Sequence, residues 1–357
     1  MRANPHEPSF GRRLWLHALS LLAWKPATRP WHFPVLASLC VGIPALTGVA
    51  VGRFDAGVLG SIGGLVILYM PHTPVPHRMV TLAVSALGLT ACFALGVATG
   101  FNPYLSAATL GLVTALVTLV TRYFALPPPG SFFFVLVTAV AGTLPFDPAA
   151  LPAHVGLFVL GAIQACLLAF FYSLLAGNRA PAAPPHRPPA QPVAALVPDV
   201  AVIGAFVGGS LLLAQSLGLH NPYWVPISCA AIMQGATFRA VWHRQVHRIA
   251  GTAIGMGLTW LIFSLPFNAW GLVAVIMALN FLVEFLVVRH YGLAVIFITP
   301  LTVLLAEASA MNASPDQLVL ARMLDIVLGS VIGFVGGGVL HHPELLRALG
   351  LRRPRAE

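Results

Sequence analysis

Long apolar runs alternate with short polar stretches along almost the whole chain. The first six runs lie near 33–51, 56–70, 79–100, 103–121, 131–145 and 155–175. The second six lie near 199–218, 222–235, 249–266, 268–288, 291–307 and 320–340. Because a helix needs about 20 apolar residues to cross a bilayer, this pattern predicts an all-α polytopic membrane protein with about 12 transmembrane helices.

The two sets of runs have glycines and polar or charged residues at matching positions. Six positions coincide when the halves are shifted by 166 to 168 residues: Gly42 with Gly208, Asp55 with Asn221, Gly88 with Gly255, Arg122 with Arg289, His154 with Arg322, and Gly161 with Gly329. Each unit has an even number of spans, so both must insert the same way up. The sequence therefore predicts two parallel six-helix repeats, related by an axis along the membrane normal.

These features divide the chain into five predicted segments. They are an N-terminal cytoplasmic or interfacial segment over 1–32, a first repeat over 33–176, a Pro-rich cytoplasmic linker over 177–198, a second repeat over 199–341, and a basic cytoplasmic tail over 342–357. Within the first segment, residues 14–24 predict a helix lying on the inner leaflet.

Composition and charge agree with a bilayer as the solvent. Only 8% of the residues are charged and 58% are hydrophobic, too little polar surface for a soluble protein of this size. With both termini in the cytoplasm, 17 of the 19 Arg and Lys residues fall on the cytoplasmic side, and Arg53 and Arg322 fall outside. This distribution follows the positive-inside rule, so the net charge of +9 reports orientation rather than nucleic-acid binding.

Charged residues inside apolar spans are the first candidates for function, because hydrocarbon does not solvate them. Three stand out, Arg322, Asp325 and Glu284, all in the second half. Arg322 and Asp325 are three residues apart and face the same side of one helix, which suits an ion pair or a site for a substrate carboxylate. Glu284 is a candidate proton-coupling site or the partner of a nearby basic residue.

A basic loop is predicted between Gln234 and Arg248. Its arginines Arg239, Arg244 and Arg248 would contact inner-leaflet lipid or attract an anionic substrate to the inner mouth. Small residues at helical spacing, among them Gly251, Thr252, Gly255, Gly329 and Gly333, predict close helix packing.

No enzyme motif or cofactor motif is present in the sequence. HExxH, GxSxG, GxxxxGK[ST] and GxGxxG after a strand are all absent. His243 and His247 have the spacing of a metal pair, but the neighbouring arginines would repel a cation. We therefore expect no enzyme activity, no cofactor and no metal site.

Three segments of the second half carry a family resemblance. They are Asn221-Pro222-Tyr223-Trp224-Val225-Pro226, Arg248-Ile249-Ala250-Gly251-Thr252-Ala253-Ile254-Gly255 and Arg322-Met323-Leu324-Asp325-Ile326-Val327-Leu328-Gly329. In order and spacing they resemble the fusaric acid resistance protein-like (FUSC) family, grouped with aromatic acid exporters. The first half keeps the spacing but lacks the Trp, the Gly-Thr and the Arg-Asp pair.

The resemblance implies a multi-pass protein of the bacterial inner membrane that exports small organic anions, aromatic carboxylic acids above all. No nucleotide-binding motif is present, so the energy would come from an ion or substrate gradient, with a proton as the candidate coupling ion. A passive anion channel and a non-transporting scaffold or lipid-interacting protein are the alternatives. The expected partners are the anionic substrate and the lipid bilayer, without nucleic acid, and homodimerisation stays open.

The predicted topology can be tested by labelling single cysteines in a Cys-free background. A cysteine at Asp147 or Asn312 should react with a membrane-impermeant thiol reagent added outside intact cells. A cysteine at Arg187 or Arg239 should react only after the membrane is permeabilised. The reverse pattern would refute the twelve-span topology.

Overall fold

The computed structural model describes residues 24, 26, 29–175, 192–235, 237–306, 315–342 and 344. Twelve α-helices lie in these residues, and no strand occurs among them. The first six are α1 (Phe33–Ala50), α2 (Phe54–Gly64), α3 (Val75–Thr99), α4 (Pro103–Tyr123), α5 (Phe132–Ala141) and α6 (Leu151–Leu175). The second six are α7 (Val193–Ser216), α8 (Trp224–Met233), α9 (Phe238–Ser264), α10 (Ala269–Val287), α11 (Tyr291–Ala306) and α12 (Pro315–His341). A 3-10 helix, Leu65–Tyr69, continues α2.

The all-α class is confirmed, and each predicted span overlaps one α-helix. The largest differences are at the starts of α7 and α9. Helix α7 begins at Val193, inside the predicted linker, and α9 begins at Phe238, inside the predicted basic loop. Arg and Gln favour helices almost as well as Leu does, so a basic flank does not end a helix. The predicted interfacial helix and basic tail lie almost wholly outside the described residues.

Eight helices in the described residues are long and apolar enough to cross a membrane, namely α1, α3, α4, α6, α7, α9, α10 and α12. The other four, α2 with its 3-10 extension, α5, α8 and α11, have 10 to 17 residues. Every residue of α8 is buried, as are most residues of α5. Short helices are tolerated at membrane depth where other helices, rather than lipid, surround them. Twelve complete crossings remain a prediction.

The same helix pairs pack together in both halves. In the first half α1 contacts α2, α2 contacts α6, and α3 contacts α5 and α6; in the second half α7 contacts α8, α8 contacts α12, and α9 contacts α11 and α12. Two long interfaces join the halves, one between α4 and α7 and the other between α1 and α10. Helices α4 and α10 hold the same place in the two halves, and so do α1 and α7. The two interfaces are therefore equivalent, as expected of two related units.

Glycines bring α4 and α7 together at the level of their backbones. A Cβ atom at Gly208 would lie 2.7 Å from the carbonyl oxygen of Ala107 and 3.0 Å from Cα of Gly111. At the second interface the counterpart glycine, Gly42, packs against the side chain of Met277. Both glycine contacts therefore join equivalent positions of the two halves.

The backbone contact at Gly208 can be tested by adding a side chain there. Gly208→Val should force α4 and α7 apart and destabilise the protein by about 1–3 kcal/mol, the usual effect of overpacking. The apparent thermal unfolding midpoint of the detergent-solubilised protein measures this. Gly209→Val is the matched control, because no heavy atom lies within 4 Å of a Cβ placed there. Equal midpoints for the two variants would contradict the packing.

Candidate functional site

A cavity of about 360 Å³ lies where the two halves meet. Its walls come from α4 and α5 of the first half and from α7, the α7–α8 loop and the end of α11 of the second half. The polar groups that line it are those of Ser106, Thr143, Gln215, His220, Asn221 and Tyr223. The cavity therefore presents neutral hydrogen-bonding groups, with one histidine, among apolar walls.

All walls of the cavity belong to the same end of the helix bundle. Ser106 is in the first turn of α4, Gln215 is near the end of α7, and Ala306 is the last residue of α11. In the predicted topology this end is the extracellular one. The Oε1 atom of Gln215 is buried and accepts no hydrogen bond within the described residues.

Arg322 lies close to the wall of this cavity. It is 2% exposed, and its guanidinium carbon is 2.9 Å from the centroid of the Trp224 ring. Its Nη2 atom donates a hydrogen bond of 3.0 Å to Oγ1 of Thr302. Trp224 directly follows the cavity residue Tyr223, and Thr302 lies one helical turn before Ala306. A buried cation is thus held next to the cavity by an indole face and a hydroxyl group.

Cation–π stacking stabilises Arg322 where water cannot. Such contacts are worth about 2 kcal/mol when the cation is desolvated. The Trp224 ring in turn packs against Tyr223, with 5.0 Å between the ring centroids. Asp325, on the same helix, is 1% exposed. The structure buries both predicted residues; the ion pair between them remains a prediction.

Glu284 has an ion-pair partner that the sequence did not predict. Its Oε2 atom lies 3.2 Å from Nη1 of Arg29, in the segment before α1. Arg289, a basic residue close to Glu284 along the chain, lies in the turn after α10 and instead donates to the carbonyl oxygen of Phe285. Glu284 is 5% exposed and Arg29 17%. The ion pair therefore lies at one end of the α1–α10 interface, where both side chains are largely shielded from water.

A second ion pair closes the corresponding end of the α4–α7 interface. Nη1 of Arg122 in α4 lies 3.1 Å from Oδ2 of Asp199 in α7. This pair lies at the end of the interface opposite the cavity. The charges are exchanged between the two ion pairs. The residue near the start of a half is the cation Arg29 in one interface and the anion Asp199 in the other.

The end of the bundle that holds these ion pairs also contains a histidine in a cationic environment. Burial and, after it, the positive charges of Arg29 and Arg78 lower the pKa of His72. His72 lies in the connection between the 3-10 helix and α3. The neutral imidazole is therefore the favoured form at this end of the protein.

The predicted basic loop is wrong from Phe238 onward, where the chain is helical. Arg239, Arg244 and Arg248 lie on α9. Arg244 donates hydrogen bonds to the carbonyl oxygen of Ala231 and to Gln234. Arg248 is 5% exposed, so it lies inside the bundle rather than at an inner mouth. The position of Arg248 on α9 directs its side chain toward α8, where it bonds Ser228. The order of charged residues along the sequence does not show this direction.

The predicted packing residues do lie at close helix contacts. A Cβ at Gly251 would lie 2.8 Å from Cβ of Val295, and one at Gly255 would lie 2.6 Å from the carbonyl oxygen of Ile296. Gly329 and Gly333 pack against α8 in the same way, and Thr252 is buried. Within the described residues, no three His, Cys, Asp or Glu side chains gather closely enough to hold a metal ion.

The two ion pairs should differ in strength because they differ in exposure. Arg29→Ala leaves the buried Glu284 carboxylate without its partner and should destabilise the protein by about 3 kcal/mol. Arg122→Ala should change stability by no more than about 1 kcal/mol, since Arg122 is 33% exposed and its charge is partly solvated. Thermal unfolding in detergent measures both changes.

The Arg29→Ala/Glu284→Ala double variant controls for lost packing. It should be more stable than Arg29→Ala alone, because no buried charge is left without a partner. A double variant whose destabilisation equals the sum of the two single changes would contradict a direct interaction between Arg29 and Glu284.

Comparisons with known proteins found a family match for the segment that contains Trp224, Arg248, Arg322 and Asp325. Residues 207–336 match the family model described as fusaric acid resistance protein-like. Over an alignment of 472 positions, the chain is 24% identical to the "Uncharacterized membrane protein YvaC" of Bacillus subtilis (strain 168), which covers 89% of this chain and 75% of that relative. No solved structure matches the chain. The chain is therefore a membrane protein in which residues 207–336 are similar to the fusaric acid resistance protein-like family.

Proposed function

We propose that this protein is a secondary transporter of the bacterial inner membrane that exports small organic anions, in particular aromatic carboxylates. The observation that carries the proposal is the buried Arg322, stacked on Trp224 beside a cavity between the two halves. The match of residues 207–336 to the fusaric acid resistance protein-like family is consistent with export. The substrate class and the coupling ion are our inference from the geometry.

The cavity and its surroundings suit an aromatic acid. Its volume of about 360 Å³ is within the range of roughly 300–1,000 Å³ that is usual for small-molecule sites. A carboxylate matches the forked donors of a guanidinium, and an aromatic ring can pack against Tyr223 or Trp224. A small movement of Arg322 toward the cavity would bring cation and carboxylate together.

The proposed architecture is twelve spans in two parallel repeats, with both termini in the cytoplasm. The repeated pattern of helix contacts and the distribution of Arg and Lys support it. In this arrangement the cavity opens toward the outside, while the ion pairs Arg29–Glu284 and Arg122–Asp199 close the inside. Inward opening would separate both ion pairs, with the glycine contact between α4 and α7 as the pivot.

Glu284 is the proposed proton-coupling residue. When the inner end opens, Glu284 separates from Arg29, and its carboxylate becomes available to a proton. A proton bound there would then allow the inner end to stay open without an uncompensated negative charge. Opening of the inner end, where the anion enters, would in this way depend on the proton concentration at that end.

Efflux from proteoliposomes tests the function directly. Liposomes containing the protein and loaded with benzoate should release it faster than protein-free liposomes, and a pH gradient should change the rate. Arg322→Ala should lower protein-dependent efflux on the order of a hundredfold, since a desolvated charge-assisted contact is worth about 3 kcal/mol. Glu284→Gln should keep efflux but remove its dependence on the pH gradient.

Arg53→Ala is the matched control, because Arg53 is exposed. It should leave efflux unchanged. Absence of protein-dependent efflux for benzoate and other small carboxylates would refute transport and favour a scaffold. A benzoate current that ignores the pH gradient would instead indicate a passive channel.

A further inference from the structure

The second half contains another deeply buried arginine, Arg248 of α9. It is 5% exposed, and its Nη2 atom donates one long hydrogen bond, 3.3 Å, to Oγ of Ser228 in α8. Its Nε atom is buried and donates no hydrogen bond within the described residues. Arg248 thus holds an unused, directed donor inside the bundle, where leaving a donor unsatisfied is costly.

Charge is also unbalanced around Arg248. The buried charged residues among those described are Arg248, Glu284, Arg322 and Asp325. Glu284 is paired with Arg29, and no described carboxylate forms an ion pair with Arg248. Arginine keeps its proton even when it is buried. Among the described residues, two buried arginines and one buried aspartate therefore leave the interior of the second half with one positive charge, which one monovalent anion would neutralise.

A buried hydroxyl group lies at the same level as Arg248. Helices α9 and α12 run antiparallel, with Val241 against Gly337 and Trp242 against Phe334. Continuing this register toward the outer end places Ser330 opposite Arg248. Ser330 is 0% exposed, and its Oγ atom has no hydrogen-bond partner within the described residues. Three polar groups, from α8, α9 and α12, thus converge on one level of the bundle.

We propose that Arg248, Ser228 and Ser330 form a second binding site for a small carboxylate, on the inner side of Arg322. A carboxylate there would accept hydrogen bonds from the guanidinium fork and from the two serine hydroxyls. The role of this site in export rests on the proposed transport function, whereas its existence can be tested by binding alone. Arg248 is a binding residue in this proposal, not a structural cation.

The two sites together define a path through the second half. Ser330 lies eight residues after Arg322 on α12, a rise of about 12 Å along the helix. Helix α8 contributes to both sites, through Trp224 at the outer one and Ser228 at the inner one. The corresponding first-half positions are Thr81 for Arg248 and Gly60 for Ser228, neither of them charged. An anion would therefore move from Arg248 to Arg322 within the second half.

Thermal unfolding of the full-length protein in detergent, with and without sodium benzoate, tests the site. Benzoate should raise the unfolding midpoint of the wild type in a concentration-dependent manner, sodium gluconate at equal ionic strength less so. Arg248→Gln should weaken the apparent benzoate affinity at least about tenfold. Without benzoate, Arg248→Gln should unfold at the same temperature as the wild type or higher, because it removes a buried charge that has no counter-ion.

Arg244→Gln is the matched control, one turn earlier on α9 and bound to Ala231 and Gln234. It should leave the benzoate affinity unchanged. An Arg248→Gln protein that is less stable without benzoate and binds benzoate like the wild type would overturn the proposal and make Arg248 structural. An effect of Arg244→Gln as large as that of Arg248→Gln would also overturn it.

Binding and transport fail separately in these experiments. Benzoate binding that depends on Arg248, without efflux from proteoliposomes, would support the site and refute the transport function. Efflux that Arg322→Ala abolishes and Arg248→Gln leaves unchanged would support transport and refute the second site.

Discussion

A guanidinium inside a membrane protein must be stabilised by other protein groups, because hydrocarbon provides neither water nor counter-ions. Arg322 meets this requirement through the face of Trp224 and the hydroxyl group of Thr302. These groups come from α8, α11 and α12, so the position of one charge depends on three helices. Those helices can approach closely because Gly329 and Gly333 of α12 have no side chain where α8 passes.

The lengths of the helices follow from the same constraint. Helices that face lipid must satisfy all their backbone groups across the whole hydrocarbon layer, and eight helices in the part of the chain that the structure describes are long enough to do so. Helices enclosed by protein are free of that requirement. The short α2, α5, α8 and α11 occupy the second and fifth places of each half, and their ends leave room for the α7–α8 loop and the cavity. Corresponding short segments in two halves are typical of transporter binding sites.

The two halves share a packing scheme but not a chemistry. Gly161 packs on Gly60 in the first half, and Gly329 packs on Ser228 at the corresponding place in the second. The serine hydroxyl accepts a hydrogen bond from Arg248, for which the first half has no equivalent. His154 corresponds to Arg322, and Leu157 to Asp325. The polar groups of the proposed anion sites therefore lie in the second half, on a packing scheme that both halves share.

The sequence by itself determined the features that depend on local pattern. Run length and composition predicted helices in a bilayer, and every predicted span overlaps an observed helix, because a helix satisfies its backbone within one segment. Glycine spacing predicted the close contacts at Gly251 and Gly329, since a helix repeats its surface every three or four residues. Residue order also carried the resemblance that the match over 207–336 confirmed.

Only the tertiary structure decided which distant groups meet. The partner of Glu284 proved to be Arg29, at the other end of the chain, and that of Arg122 proved to be Asp199. The sequence named Arg322 and Trp224 in separate motifs without indicating that one lies on the other. It also placed Arg248 in a loop, whereas helix α9 carries it into the interior. Partners, burial and cavities depend on how helices are arranged around one another, and a pattern read along one helix does not contain that arrangement.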